Sequence, residues 1–579
     1  MRRLGRTTLS CGAAIALWTC VAASAGNAAS VPAPLPVAPP VSAADFRSEP
    51  AGTVPVDGDG RIPNPATPDG TPLGSAPACD AVFVAGPTHS ADAVNAAIAR
   101  TADRLTRPYT ICLSGVFRTP IRVWGKWSAP LLTIESQPGT RAVLTPGTAT
   151  LGAVDANEFD GVAGAVSIVD SRGVEVRDLT IEGYRTDGTA ATPAGIYVEV
   201  RGPGFGGAPS ACFAHGDRVC GDIFLIDNRI RAIADEADRV ATVRALCGNA
   251  SVDAFGIEVE SYGRGVSGAL QHVAVVDNRI ADTRTGQSET LAISGDVTDF
   301  LVAGNRVGPG DNIGIDVEGW YDGTSQANHG VVEDNAVADI DTRDNRAYGV
   351  WDAARGRCAP LAPNAAGIYD DGAAYLWIRG NLVANTDQGI SLDTETPGRW
   401  TDHILVSGNT VRDTRGTALG VPSWGPDPRG FAARSKVAGH AYDAFYVDAF
   451  APRSSIYDVY AYGNVFRNAS AYFGALAPQP STVVAFGGRW HNVVLWDNTV
   501  AGGGGRTGRD VLVAMDDLPT VPAGNLIDCT DYEGLGGGVN FLLPGAGFST
   551  LGEWQRGNGH GWDRHSAVGH APRCAPGGP

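Results

Sequence analysis

Short alternating runs return through the middle of the chain behind the same dipeptide. They are Gly195-Ile-Tyr-Val-Glu-Val200, Gly256-Ile-Glu-Val-Glu-Ser261, Gly314-Ile-Asp-Val-Glu-Gly319, Gly367-Ile-Tyr-Asp-Asp-Gly372 and Gly389-Ile-Ser-Leu-Asp-Thr394. In an extended strand alternate side chains fall on opposite faces. One face then carries Ile196 with Val198, Ile257 with Val259, Ile315 with Val317 and Ile390 with Leu392. The other carries Tyr197 with Glu199, Glu258 with Glu260, Asp316 with Glu318, Tyr369 with Asp371 and Ser391 with Asp393. Each run therefore predicts a strand that buries an aliphatic pair and presents a carboxylate at a fixed place. Asp370 falls on the inward face, which predicts either a buried, partnered acid or a bulge.

A second repeat is offset from the first: Asp or Gly, then Asn, a variable residue and an apolar one. Its copies centre on Asn228, Asn278, Asn305, Asn335, Asn381, Asn409, Asn464 and Asn498. The closest copies stand 27 to 30 residues apart, a period expected of a solenoid rung, and wider gaps hold insertions such as 320–328 and 343–366. Asn at a sharp corner is expected to take the left-handed conformation, and its amide to bond to the next rung's Asn. Upstream, Ala91, Val94, Ile98 and Ala102 recur at helical spacing behind Ser90, which predicts one amphipathic helix over 90–105 closing the end of the stack. Strands are predicted at 109–113 and 131–136.

Composition narrows the partners. The formal net charge is −18, from 44 Lys+Arg against 62 Asp+Glu, which disfavours nucleic acid and anionic membranes. Lysine is confined to Lys126 and Lys436. Residues 1–29 read as a secretory signal, with Arg2, Arg3 and Arg6 before an apolar stretch from Cys11 to Ala25. Residues 30–78 form a Pro/Ala/Gly-rich linker, and no later run is long enough to span a membrane, so the chain is expected to be secreted. Two of the ten cysteines, Cys11 and Cys20, belong to the leader; the other eight form no CxxC pair and suit disulfides in an oxidising compartment. Cys79 with Cys112 and Cys529 with Cys574 flank the two ends and are expected to pair, as is Cys212 with Cys220 around an insertion.

Stacked asparagine corners, three short strands per rung and an export leader together resemble the right-handed parallel β-helix of the pectate-lyase-like superfamily. The expected fold is therefore all-β, a right-handed parallel β-helix solenoid over 79–540 with an N-terminal capping helix. Residues 541–579, including Gly559-His560-Gly561 and His565, are expected to serve a C-terminal cap. The resemblance implies no single activity, because this fold hosts lyases, glycosidases, epimerases and adhesins.

Candidate chemistry lies on the polar face. Rungs about 4.8 Å apart would stack Glu318, Asp371 and Asp393 in one column, with Asp316 about 7 Å along from Glu318. Stacked like charges repel unless they are solvated, hold a cation or share protons. Tyr369, Trp320, Tyr321 and Trp400 stand beside the column as candidate sugar-stacking rings, with Glu395 and Glu260 as further substrate contacts. A glycoside hydrolase needs two carboxyl groups flanking the scissile bond, and Glu318, Asp371, Asp393 and Asp316 can supply them without a cofactor. A polysaccharide lyase would instead use Glu318, Asp371 and Asp393 to hold Ca²⁺ and a basic residue to take the α-proton, and the strand faces offer no such base. Asn385-Thr-Asp387, Asp370-Asp371 and Gly559-His-Gly561 match polygalacturonase-type motifs by letter but in the wrong order, which excludes that assignment. A third reading is a non-catalytic glycan-binding β-helix. Hydrolysis of a polysaccharide is the preferred one.

Overall fold

The computed structural model describes residues 78–569 apart from internal segments, the longest being 147–160, 202–219, 236–246, 423–454 and 469–481. The predicted leader and all but the last residue of the predicted linker lie outside the described residues. Two large sheets run the length of the described chain, one of 25 strands and one of 13. In the smaller, successive strands pair in parallel from Ile121–Trp124 to Phe541–Leu543, and an antiparallel strand, Ala546–Phe548, ends it. The larger sheet holds, rung by rung, a long strand such as Leu270–Val276, an Asn corner and a short strand such as Arg279–Ala281. The fold is thus the parallel β-helix that the repeats predict.

The register runs Leu291↔Ile315↔Ile368↔Ile390, and all four join one continuous core with Ile196, Val198, Val317 and Leu392. Burying each aliphatic side chain contributes about 1.5–3 kcal/mol. Asp370 pairs between Val317 and Leu392 and so points inward without a bulge. It is fully buried and partnered: Thr401 Oγ1 donates to it at 2.7 Å and Ala373 N at 2.8 Å.

The corners hold the predicted ladder but divide the work differently. Each corner Asn from Asn228 to Asn464 donates from Nδ2 to the Oδ1 of the next rung's Asn, as in Asn278→Asn305 at 3.1 Å, Asn305→Asn335 at 3.0 Å and Asn335→Asn381 at 3.0 Å. The left-handed residue is the one before it: Asp227, Asp277, Asp334 and Asp497 have φ of 50–57°, and Gly304, Gly380, Gly408 and Gly463 have φ of 62–66°. This corrects the expectation that Asn itself takes that conformation. It also explains the alternation of Asp and Gly, the residues that tolerate positive φ best.

A second left-handed column crosses the outer face of the larger sheet. Asp222, His272, Asp299, His329, Tyr375, His403, Asp458 and Asn492 all have φ of 51–57°. The flanking pairings place them on successive rungs.

At the N-terminal end the helix Ala91–Thr101 buries Ala91, Val94, Ala97 and Ile98, and core residues Ile121 and Val123 of the first small-sheet strand join the same cluster. In the stretch read as the C-terminal cap, Ala567–Val568 still pairs in parallel with Asp531–Glu533, and the helix Leu551–Gly557 stacks Trp554 on Phe541 at 5.4 Å. Cys79 is bonded to Cys112, and Cys247 to Cys358 across 111 residues. Cys220 and Cys529 are also disulfide-bonded, while Cys212 and Cys574 lie outside the described residues.

Candidate active site

The parallel register of the smaller sheet aligns every second outward residue. One column reads Glu199↔Glu260↔Ser294↔Glu318, and the Val317↔Asp370 pairing carries it on to Asp371 and then Asp393. The column two residues earlier reads Tyr197↔Glu258↔Ala292↔Asp316↔Tyr369↔Ser391. Glu318, Asp371 and Asp393 thus stand on three successive rungs, with Asp316 one strand-pair away. From Tyr197 to Asp393 neither column contains a basic residue.

Burial decides what kind of acidic face this is. Exposure is 5% at Glu318, 3% at Asp371, 2% at Asp316 and zero at Asp393, so the carboxyls are not spread on a solvated surface. Glu258 is buried as well, and Glu260 is half-buried. Ser294 Oγ donates to Glu258 Oε1 at 3.0 Å, and the Tyr197 hydroxyl donates to Glu260. Glu318 is hydrogen-bonded to Ser294, Glu289 and Asp316.

Glu289 is the residue that the repeats do not reveal. It lies in the turn before the strand Leu291–Gly295, is 4% exposed, and brings a carboxylate oxygen within 4.8 Å of those of Asp316 and Glu318. Its rung, Thr290-Leu-Ala-Ile-Ser-Gly295, lacks the Gly-Ile opening and so escapes a search built on that dipeptide; its only signal is the alternation of Leu291 and Ile293 with Ala292 and Ser294. Burial, and then the charge of Asp371, pushes the Glu318 carboxyl up to about 8. Burial, with Glu318 and Asp316 as the next causes, raises Glu289 well above the usual carboxylate range. Without a cation among them, three carboxyls this close in a dry site do not all ionise.

The three carboxyls are also hard oxygen donors of the type calcium takes. On this face Glu289, Asp316 and Glu318 stand within mutual reach of one ion, a different set from Glu318, Asp371 and Asp393.

Two of the flanking aromatics, Trp320 and Trp400, pack against each other. Trp320 is buried, with its ring 4.9 Å from that of Trp400, its Nε1 donating to Trp400 O at 2.8 Å and the Arg399 guanidinium over its face at 4.9 Å. Tyr369 is buried with Ile313 and Ala366, and Tyr321 is half-buried. Glu395 lies outside the described residues. Two of the three stretches that mimic polygalacturonase motifs have packing roles: Asp387 accepts from Thr342 N and Oγ1, both at 2.9 Å, and His560 stacks on Trp562.

No protein-family model matches the chain. An uncharacterized protein of Bacillus subtilis (strain 168), YwoF, is 31% identical over 273 residues, which is 47% of this chain and 49% of that protein. The chain thus spans about half the length of that curated relative. Among solved structures, the A-module of a mannuronan C-5 epimerase from Azotobacter vinelandii is similar at 11% identity and a TM-score of 0.40, over 74% of this chain and 93% of that one. An exopolygalacturonase from Thermotoga maritima gives 8% identity and a TM-score of 0.38, over 79% and 89%. The Dettilon tailspike protein gives 12% and 0.41, over 75% and 62%. Likeness of this degree assigns no activity.

Proposed function

We propose that the chain is a carbohydrate-active enzyme that hydrolyses a polysaccharide on the carboxyl columns of its smaller sheet. The observation that carries this reading is the adjacent pair Glu318 and Asp371. Glu318 is buried with its carboxyl pushed up to about 8, so it holds a proton at neutral pH, and Asp371 is the first charged neighbour that raises it. A protonated acid beside a charged carboxylate is the division of labour that glycosidic hydrolysis needs. Glu318 gives its proton to the leaving oxygen, and Asp371 acts as base or nucleophile. Asp393, one rung on, and Asp316 complete the acidic floor.

The lack of a basic residue in the columns between Tyr197 and Asp393 disfavours elimination, which needs one to take the α-proton. The same charge balance favours a neutral or amine-bearing glycan over a uronate. The test is a panel of neutral, amino and uronic polysaccharides, scored for new reducing ends and for unsaturated products. Reducing ends that vanish in Asp371→Asn and survive EDTA support hydrolysis. Unsaturated, calcium-dependent products would establish a lyase, and binding without cleavage a lectin-like solenoid.

A further inference from the structure

We infer that Arg229, Arg279 and Arg306 form a docking ladder for an anionic polysaccharide, a linear glycan with one carboxylate per sugar, on the larger sheet and apart from the carboxyl columns. The polymer held there is not the one that is cut, so the inference goes beyond the hydrolytic reading and does not depend on it.

The register places the three arginines in one column. Arg229 pairs with Arg279 and Arg279 with Arg306, on the short strands after three successive Asn corners. All three are exposed, while the next residues, Ile230, Ile280 and Val307, turn into the core. The rung before Arg229 presents Thr180, and Arg141 Nε donates to its hydroxyl at 3.0 Å, so a fourth guanidinium stands at the head of the column. Ala336 follows Arg306 and ends it. From Thr180 to Arg306 the column runs about 14 Å at the ordinary strand spacing.

Like charges set directly opposite one another destabilise a sheet. The chain has 62 Asp+Glu with which to interrupt this stack, and the column contains none of them. Among the described residues Arg229, Arg279 and Arg306 make no salt bridge. Arg231, two residues along from Arg229, is by contrast held by Glu182 at 2.6 Å. The acids beside the column are the corner residues Asp178, Asp227 and Asp277, and at Arg306 the corner is Gly304. Burial, and then the charge of Asp227, raises both Asp178 and Asp277; Arg229 and Arg177 oppose this at Asp178, and no arginine opposes it at Asp277. The guanidiniums are therefore left largely for a partner from outside.

A guanidinium takes a carboxylate through two parallel N–H donors, and the ladder offers one such fork about every 4.8 Å. That step is close to the length of one pyranose unit, so a glycan with one carboxylate per sugar meets one fork per sugar. Duplex DNA presents a charge for about every 1.7 Å of its axis, which is denser than the ladder can match. On the smaller sheet the same glycan would be repelled by Glu318, Asp371 and Asp393.

The experiment is fluorescence anisotropy of the full chain with three labelled probes: an oligogalacturonate, its methyl ester, which keeps the sugars and loses the charge, and a single-stranded oligothymidylate. The acid oligomer should bind, less tightly as salt rises, and the ester should not. An exposed charge pair is worth little, so Arg279→Ser should weaken binding about 2- to 5-fold and the triple variant Arg229→Ser/Arg279→Ser/Arg306→Ser about 10- to 100-fold. Arg279→Lys keeps the charge and loses the fork, so it should fall between the parent and the Ser variant. Arg231→Ser, which removes a paired arginine, should bind as the parent does. The triple variant should melt no lower than the parent, because the column repels itself. A marked fall in melting temperature would show that the corner acids consume the arginines, and it overturns the inference. Ester or oligothymidylate bound as tightly as the acid oligomer overturns it too, as does a triple variant that binds like the parent or an equal loss in Arg231→Ser. None of these readouts uses turnover, so hydrolysis can fail its own test while the ladder stands.

Discussion

Tyr375 and His403 stack with ring centroids 4.4 Å apart and planes 21° from parallel, one solenoid rung separating them. His329 covers the opposite side of the same tyrosine at 4.8 Å. The stack belongs to the left-handed column on the outer face of the larger sheet, where acids and imidazoles neighbour each other from Asp222 to His403. His403 Nδ1 lies 2.9 Å from Asp402 and 3.8 Å from Asp458, and His272 Nδ1 lies 3.4 Å from Asp222.

A pH dependence of stability follows. The hydrogen bond to Asp222, opposed by burial and helped by the charges of Asp222 and Asp299, raises the His272 imidazole above 6.5. A group whose folded value is raised contributes stability that is complete below the unfolded value and lost as pH rises through the folded one. Melting temperature should therefore decline as pH rises from about 6 to about 8, and His272→Gln should flatten that decline. An equal slope in the variant would remove the imidazole from the account. The side chain is 60% exposed, so the effect should shrink in high salt.

The corners predict an asymmetry between neighbours. Gly304 has φ of +66°, and a Cβ there would meet the Asp277 carboxylate, so Gly304→Ala should destabilise by about 1–2 kcal/mol. Asp334, already strained at φ of +52°, should accept glycine with a change within about 0.5 kcal/mol. Asn335→Ala should be the most damaging, by at least about 2 kcal/mol, because it strands the buried N–H groups of Asn305. Urea unfolding of the three variants gives the order directly.

Catalysis predicts its own pH signature. With the Glu318 carboxyl pushed up to about 8, the acid form is present below that pH and kcat should fall as pH rises through it. Asp371→Asn should lower kcat by about 10²- to 10⁴-fold with the melting temperature nearly unchanged. Because the Asp371 charge helps to raise Glu318, any residual activity should lose its alkaline limb at lower pH than the wild type. A variant that retains both rate and profile would reduce the columns to packing.

The Cys247–Cys358 bond ties the hairpin of Gly349–Asp352 and Arg357–Pro360, which rises from the 343–366 insertion, to a point 111 residues earlier. Closing so long a loop predicts a loss of about 2–4 kcal/mol in the Cys247→Ser/Cys358→Ser double variant. Calorimetry that finds the double variant as stable as the parent would show that the denatured chain is already compact there.

Replacing Ile315 by Asp should unfold the middle of the solenoid. The side chain is fully buried, and the new carboxylate would enter an apolar stack without a partner. A soluble variant with an unchanged melting curve would mean that the aliphatic face is not the interior.

Alternation by itself determined the strands, because a period of two forces Ile315 and Val317 to one side and Asp316 and Glu318 to the other. The Asn period determined the rung, since a buried amide can be satisfied on both sides only if the next turn repeats it, as Asn305 and Asn335 do. What the carboxyls do lay beyond the sequence. Whether a column is solvated or dry depends on what surrounds it, and only the assembled rungs show that Glu318, Asp371 and Asp393 are buried. The same holds for Glu289, whose turn follows neither repeat and whose carboxyl meets Asp316 and Glu318 only across neighbouring rungs. Asp370 makes the point in a single residue: its inward direction was readable from parity, but its partner Thr401, 31 residues later, was supplied by the fold.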